Sequence, residues 1–189
     1  MTATIAPASR SLWADRRFVT YFSGQTVSEF GDRITELAVP LIAVTTLHAE
    51  PVTVGLLTAA VWVPNVFAVF IGAWVDQRPR KRRLLMAADL LRCVTMLSLP
   101  IAHYLGVITL TQLFVVAIVA SVGQIIYQTA YQNFFVRLVR RDRYVEANSM
   151  LSGARSVSFV AGPAVGGLLI QALGAPVAVL VDAASFLVS

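Results

Sequence analysis

Charged residues are scarce in this sequence of 189 residues, where Asp, Glu, Lys and Arg together account for only 13%. Hydrophobic residues account for 57%, and the mean hydropathy is +0.73. A soluble domain of this length cannot bury so much apolar surface, because much of any small protein is exposed to water. The scarcity of charge therefore excludes an ordinary soluble domain and indicates a membrane protein.

Cysteine and histidine are also rare, which limits the chemistry open to the chain. Cys93 is the single cysteine, so an intramolecular disulfide is excluded. His48 and His103 lie far apart in the sequence and offer too few ligands for a metal ion. A nucleophile, a base and an orienting group do not converge at a recognisable spacing either. We therefore expect no metal, no cofactor and no enzymatic activity.

Apolar runs long enough to cross a bilayer, which takes about 20 residues as a helix, recur along the chain. The predicted spans are Phe18–Leu47, Val52–Val75, Leu84–Gly106, Thr109–Val136 and Ser149–Leu173, and a sixth begins near Pro176 and is unfinished at Ser189. Only helices or closed barrels satisfy every backbone group in lipid, and the alternation of barrel strands is missing. We predict an all-α, polytopic membrane protein, with residues 1–17 as a cytoplasmic segment and residues 18–189 as the transmembrane bundle.

Most of the 15 Lys and Arg residues fall in three segments that alternate with loops lacking them. These residues are Arg10, Arg16 and Arg17; Arg78, Arg80, Lys81, Arg82 and Arg83; and Arg137, Arg140, Arg141 and Arg143. Short cytoplasmic loops retain cations, so we expect a cytoplasmic amino terminus and a bacterial inner membrane. A basic chain could instead bind nucleic acid, but cations confined to loops between spans argue against that partner.

The first span carries a polar stripe near its midpoint. Gln25, Glu29, Asp32 and Glu36 recur at helical spacing, and Arg33 stands at pairing distance from both glutamates. Ionisable groups inside a span usually face a bundle interior or a water-filled path. The stripe is therefore either a path for substrate or protons, or a neutralised cluster that holds helices together.

The fourth span carries a second stripe of uncharged hydrogen-bonding side chains. It consists of Gln124, Tyr127, Gln128, Tyr131 and Gln132, spaced i, i+3, i+4, i+7 and i+8. In lipid such groups must face other protein or a cavity. Both interpretations stay open, because amides and phenols also join packed helices.

Asp76 ends the second span, where a carboxylate opposes the dipole of its own helix and needs a partner. Arg80 lies four residues on and is the expected partner, and Gly72 on the same face leaves room for another helix. In the third span, Asp89 and Arg92 stand at i and i+3, which predicts a local ion pair.

The fifth span repeats small residues every four positions, at Ser158, Gly162 and Gly166, and Gly167 follows directly. Such spacing predicts close contact with another helix. Pro163 removes one backbone donor and is expected to bend the helix.

Two segments resemble signatures of the major facilitator superfamily. The sequence GAWVDQRPRKRR from Gly72 to Arg83 resembles motif A, and GPAVGG from Gly162 to Gly167 resembles motif C of drug-proton antiporters. GQTVS from Gly24, AADLLR from Ala87 and Ala147-Asn148 resemble the enterobactin-exporter and macrolide-efflux branch.

The resemblance implies the first half of a twelve-helix transporter, with its sixth helix truncated here. Gly72, Asp76, Arg80 and Lys81 would form a cytoplasmic latch, and the motif C residues Gly162, Pro163, Gly166 and Gly167 would pack against the missing second half. Gln77 and Pro79 depart from the usual motif A, and the fourth span lacks the arginine of motif B.

The function expected from this resemblance is proton-coupled export of amphipathic small molecules, such as siderophores, macrolides or other drugs, by alternating access. The expected partners are the lipid bilayer, the substrate and the carboxy-terminal half. Asp32 is expected to be a functional carboxylate of the transport path. The alternative is a truncated or degenerate membrane scaffold that transports nothing.

Overall fold

The computed structural model describes residues 12–139 and 141–188, and every regular element in these ranges is helical. The helices are α1 (Arg16–Thr45), α2 (Pro51–Ala60), α3 (Val63–Val66), α4 (Ala68–Asp76), α5 (Lys81–Tyr104), α6 (Leu110–Leu138), α7 (Tyr144–Leu173) and α8 (Ala175–Val188). The prediction of an all-α chain is confirmed for these residues. Arg10, Arg140 and Ser189 lie outside them, and so do the side chains of Arg17 and Arg137.

The helix ends follow local sequence signals. Pro51 occupies the first turn of α2, where its missing amide hydrogen costs nothing. Thr109 caps α6, and its hydroxyl accepts a hydrogen bond from the backbone N–H of Gln112 at 3.2 Å. Gly174 separates α7 from α8 with a φ of +86°, a conformation that side chains with a Cβ rarely adopt.

The second predicted span is not one continuous helix. It is divided into α2, α3 and α4, and the α2–α3 segment is bent by 46° from α4. Pro64 accounts for the end of α2 at Ala60, because its ring clashes with the carbonyl four residues earlier and it donates no hydrogen bond. Ser121 of α6 donates a 2.8 Å hydrogen bond to the Val61 carbonyl and thus repairs part of the interrupted bonding.

Within the described residues, three helical segments are long and apolar enough to cross a membrane, and a fourth qualifies if the bent pair is one span. The three are Lys81–Tyr104, Leu110–Gln132 and Arg141–Leu173. Helix α1 is continuous over 30 residues, but polar residues interrupt its apolar sequence, and α8 has only 14 residues. The structure therefore supports a multipass membrane protein without confirming the count of six spans.

Helix α8 packs between α1 and α5, the helices that carry Asp32 and Arg92. The main apolar core joins Ile42 of α1, Leu99 of α5, Leu113 of α6 and Val179 of α8, and each of these is at most 1% exposed. Helix α7 also packs along α1, and it contacts α8 as well. This arrangement leaves a cavity between α1, α2, α5 and α6.

Candidate functional site

The cavity has a volume of about 490 Å³, within the usual range for small-molecule pockets. Most of its wall is apolar and comes from α1, α2, α5 and α6, with Trp62 at the break between α2 and α3. Its ionisable and amide lining residues are Asp32, Arg33, Glu36, Arg92, Gln124 and Asp182. A mostly apolar pocket with a few convergent polar groups suits an amphipathic ligand.

Asp32 of α1 forms an ion pair with the Arg92 guanidinium of α5. The Arg92 side chain is 5% exposed, and its Cζ lies 4.1 Å from the centre of the Phe186 ring. Gly123 leaves room for the Cγ and Cδ atoms of Arg92, which an added Cβ would meet. The spacing of α5 had indicated Asp89 as the partner of Arg92. Sequence spacing reports only neighbours on one helix, so it missed this contact between helices.

Asp182 of α8 is the functional candidate that the sequence interpretation missed. It is fully buried, and its carboxylate accepts hydrogen bonds from the hydroxyls of Thr35 and Ser185. Gly31 makes this approach possible, because an added Cβ there would collide with the Asp182 carboxylate. The available signal was an acid within an otherwise apolar helix, a placement that usually marks a functional site.

The other charges of the α1 stripe are divided between two contacts. Arg33 pairs with Glu36 at 2.8 Å, as the spacing predicts, and its Cζ lies 5.1 Å from the centre of the Phe159 ring. Glu29 accepts a 3.2 Å hydrogen bond from Arg155 of α7, although the spacing had indicated Arg33 for this residue too. Arg33 and Glu36 line the cavity, whereas Glu29 joins α1 to α7.

The polar stripe of α6 separates into residues with different roles. Tyr127 donates a 2.9 Å hydrogen bond to Gln25, and Gln25 in turn donates to Glu29 at 3.2 Å. Tyr131 stacks on Tyr21 with ring centres 5.2 Å apart. In addition, Gln124 lines the cavity, while Gln128 and Gln132 are exposed. The stripe thus supplies both helix packing and one cavity wall.

The motif A segment forms the turn between α4 and α5. Lys81 lies 3.6 Å from the Asp76 carboxylate and donates a 2.6 Å hydrogen bond to the Val75 carbonyl. Its positive charge therefore stabilises the C-terminal end of α4. The spacing had indicated Arg80 for Asp76; in the structure α4 ends at Asp76, and Lys81 is one cation within ion-pair distance of its carboxylate. Gly72 faces Thr129 of α6 at an ordinary contact distance of 3.9 Å for an added Cβ.

The motif C segment packs against α1 within this chain. A Cβ added to Gly162 would lie 2.6 Å from the Cβ of Arg33, and one added to Gly166 would lie 3.3 Å from the Cα of Ile34. Gly167 has nothing within 4 Å of its added Cβ, and Pro163 lies inside the continuous α7. The small residues therefore permit the close α1–α7 contact that their spacing predicts.

A cluster of three or more His, Cys, Asp or Glu side chains able to hold a metal ion does not occur among residues 12–139 and 141–188. The cavity combines apolar walls with a small set of charged groups, a composition common in small-molecule pockets. Because the charged groups come from α1, α5 and α8, movement of these helices would change the shape and charge of the cavity wall.

The protein-family model described as Major Facilitator Superfamily matches residues 21–189 of this chain. Over 171 residues the chain is 26% identical to a protein of Bacillus subtilis (strain 168) named uncharacterized MFS-type transporter YfiS. That match covers 90% of this chain and 40% of the relative, so the chain spans well under half of the relative's length. No solved structure matches the chain.

Proposed function

Because this chain belongs to the Major Facilitator Superfamily, we propose that it is the amino-terminal half of a secondary active exporter of amphipathic small molecules. Membership of this family points to a transporter and not to an enzyme. Siderophores, macrolides and other drugs are the substrate classes proposed, on the resemblance of GQTVS and AADLLR to the enterobactin-exporter and macrolide-efflux branch.

The observation that carries the proposal is the cavity, whose mostly apolar wall includes the partly buried Asp32–Arg92 pair. Burial of an ion pair in a span is energetically costly, and apolar residues at the same two positions would cost less. Retention of the pair therefore argues for a role beyond packing. Its position on the wall gives it a role in binding or coupling. Rocking of this half against a second half would expose the cavity to either side in turn.

Proton coupling is proposed to use Asp32, which can exchange its ion pair for a proton when the surrounding helices move. Replacement of Asp32 by Asn keeps the shape of the side chain and removes its titratable carboxyl group. The motif A latch is proposed to use Asp76, which is 61% exposed on this chain and accessible to a helix of the second half. Gly167 of the motif C segment, whose added Cβ would have nothing within 4 Å, is proposed to face that half as well.

A bacterial inner membrane with a cytoplasmic amino terminus is proposed from the distribution of cations. Labelling of single cysteines placed at Arg82 and His103, in a chain whose Cys93 is replaced by alanine, tests this orientation in intact cells. We expect labelling from outside at position 103 and protection at position 82. The reverse pattern would invert the proposed topology.

Uptake into inverted membrane vesicles tests the transport proposal, because an exporter moves its substrate into the lumen of such vesicles. Vesicles containing this chain joined to a carboxy-terminal half should move a fluorescent amphipathic drug when a proton gradient is applied, and vesicles with the 189-residue chain alone should not. Asp32→Asn should insert normally and lose the response to the gradient. Absence of gradient-driven uptake by vesicles with the joined protein, or an unchanged gradient response in Asp32→Asn, would contradict the proposal.

A further inference from the structure

We propose that Asp32 and Asp182 share one proton beside Arg92, an inference that deepens the proposed proton coupling and, for its role in transport, rests on it. In this structure the proton resides on Asp182 while Arg92 pairs with Asp32. When the proton moves to Asp32, Arg92 leaves that side chain and pairs with Asp182. Asp182 is thus a second proton-binding residue, on the one helix where the sequence interpretation placed no site residue near this pair.

Asp182 lies against the Asp32–Arg92 pair. Its carboxyl group approaches the backbone of Gly31, the residue before Asp32, where an added Cβ would collide with it. Phe186, one turn later on α8, has its ring centre 4.1 Å from the Cζ atom of Arg92. Asp32, Arg92 and Asp182 also line the same cavity. The two carboxyl groups and the guanidinium group therefore form one cluster where α1, α5 and α8 meet.

The surroundings of Asp182 favour its uncharged form. The residue is fully buried, and its described hydrogen bonds join it to the hydroxyl groups of Thr35 and Ser185. Hydroxyl groups do not neutralise a buried carboxylate, and the charge of Asp32 nearby raises the cost of a second one. A hydroxyl oxygen also accepts hydrogen bonds, so either group can receive the O–H of a protonated Asp182.

Arg92 is the cation for which the two carboxyl groups compete. The titratable groups that interact electrostatically with Asp182 include Asp32, Arg92 and Cys93. Helix α7 also contacts α8, but its charged residues, Glu146 and Arg155, form ion pairs with the segment before α7 and with α1. A single guanidinium group beside two carboxyl groups neutralises one of them, and a proton neutralises the other.

Arg92 has a donor available for a second carboxylate. Its Nη2 atom donates to Asp32, whereas its Nε atom is buried and has no hydrogen-bond partner among the described residues. A buried donor without a partner is costly, and an ionised Asp182 would supply the acceptor. The unused Nε–H group is therefore the feature that makes Asp182 an alternative partner of Arg92.

The exchange conserves protons and charge. A neutral Asp182 beside the Asp32–Arg92 pair becomes a neutral Asp32 beside an Asp182–Arg92 pair, and no other bond changes. The Asp32 side chain is 19% exposed, whereas Asp182 is fully buried. We therefore infer that protons enter and leave the cluster through Asp32 and are stored on Asp182.

Infrared spectroscopy of the purified chain in detergent tests the shared proton, because a protonated carboxyl group has a carbonyl band separate from those of carboxylates and amides. Synthesis with carbon-13 aspartate shifts this band if it belongs to aspartate. At neutral pH we expect one protonated-aspartate band, which is lost in Asp182→Asn. Asp142→Asn, in the exposed turn before α7, is the matched control and should leave the band unchanged.

Asp32→Asn distinguishes a shared proton from an acid that is merely buried. Without the Asp32 carboxylate, Arg92 is available to Asp182, which should ionise and lose its band. Thr35→Val keeps the side-chain shape and removes one hydroxyl partner of Asp182. It should shift the band without abolishing it, and this shift identifies Asp182 if Asp182→Asn does not fold.

Absence of a protonated-aspartate band at neutral pH would overturn the proposal. So would a band retained in a folded Asp182→Asn or, if that variant does not fold, a band that Thr35→Val leaves in place. A band unchanged in Asp32→Asn would overturn the sharing. The spectra need neither substrate nor gradient, so the expected spectra without gradient-driven uptake would remove the exporter and retain the shared proton.

Discussion

Replacement of Gly162 by alanine tests the packing of α7 on α1, with Gly167→Ala as a matched control. Both glycines lie in α7 and in the same motif, so the gain in helix propensity, up to about 1 kcal/mol, applies to both variants. Only at Gly162 does the new Cβ collide with α1, at 2.6 Å from the Cβ of Arg33 and 2.8 Å from its Cγ. The difference between the variants therefore isolates the collision.

The cost of that collision can be worked out from the geometry. Carbon atoms in contact prefer about 3.5–4.0 Å, so the helices must separate by about 1 Å at this point. The Cβ of Arg33 is fixed by the backbone and cannot rotate away. Overpacking of this kind costs about 1–3 kcal/mol, so Gly162→Ala should unfold more easily than Gly167→Ala by that amount.

Unfolding of the purified chain in mixed micelles, followed by the loss of helical circular dichroism as sodium dodecyl sulfate is added, measures the difference. A second readout is crosslinking between Glu29→Cys and Arg155→Cys with Cys93 replaced by alanine, since their native side chains meet at 3.2 Å. Crosslinking should slow in the presence of Gly162→Ala. Equal stability of the two alanine variants, with equal crosslinking, would refute the close α1–α7 contact.

Three further predictions concern polar groups in the bundle. Ser121→Ala should lower the free energy of unfolding by about 0.5–1 kcal/mol, because it removes the bond to the broken second span, whereas Ser156→Ala should have no measurable effect. Arg92→Gln should cost on the order of 3 kcal/mol by leaving the Asp32 carboxylate without its cation, and Asp32→Asn in the same chain should restore part of that loss; no restoration would contradict a direct pair. Asp76→Asn in the joined transporter should reduce efflux far more than membrane abundance, and unchanged efflux at matched abundance would remove the latch role.

The helices themselves were largely predictable from local sequence. Runs of apolar residues located α5, α6 and α7 to within a few residues of their observed ends, because the length of a crossing helix is dictated by the bilayer. The bend in the second span was missed, although Pro64 was visible in the sequence. A proline inside an apolar run can be tolerated in a membrane helix, and hydropathy alone does not distinguish tolerance from a break.

The candidate site was predictable in its residue types and not in its pairings. Helical spacing indicated the stripe on α1, and it correctly predicted the Arg33–Glu36 pair because both residues lie on one helix. It assigned Glu29 to Arg33 and Arg92 to Asp89, each on the same helix. In the structure Glu29 pairs with Arg155 of α7, and Arg92 pairs with Asp32 of α1. Local periodicity carries no information about contacts between residues 60 or 126 positions apart.

The sequence by itself determined that this chain is helical, apolar and embedded in a membrane, because composition and the length of apolar runs decide how backbone groups can be satisfied in lipid. Tertiary structure alone decided that Asp182 lies near the Asp32–Arg92 pair. That proximity depends on how close α8 can approach α1, which Gly31 permits by having no side chain. The position of Asp182 on the cavity wall is thus a property of the packing of α1, α5 and α8.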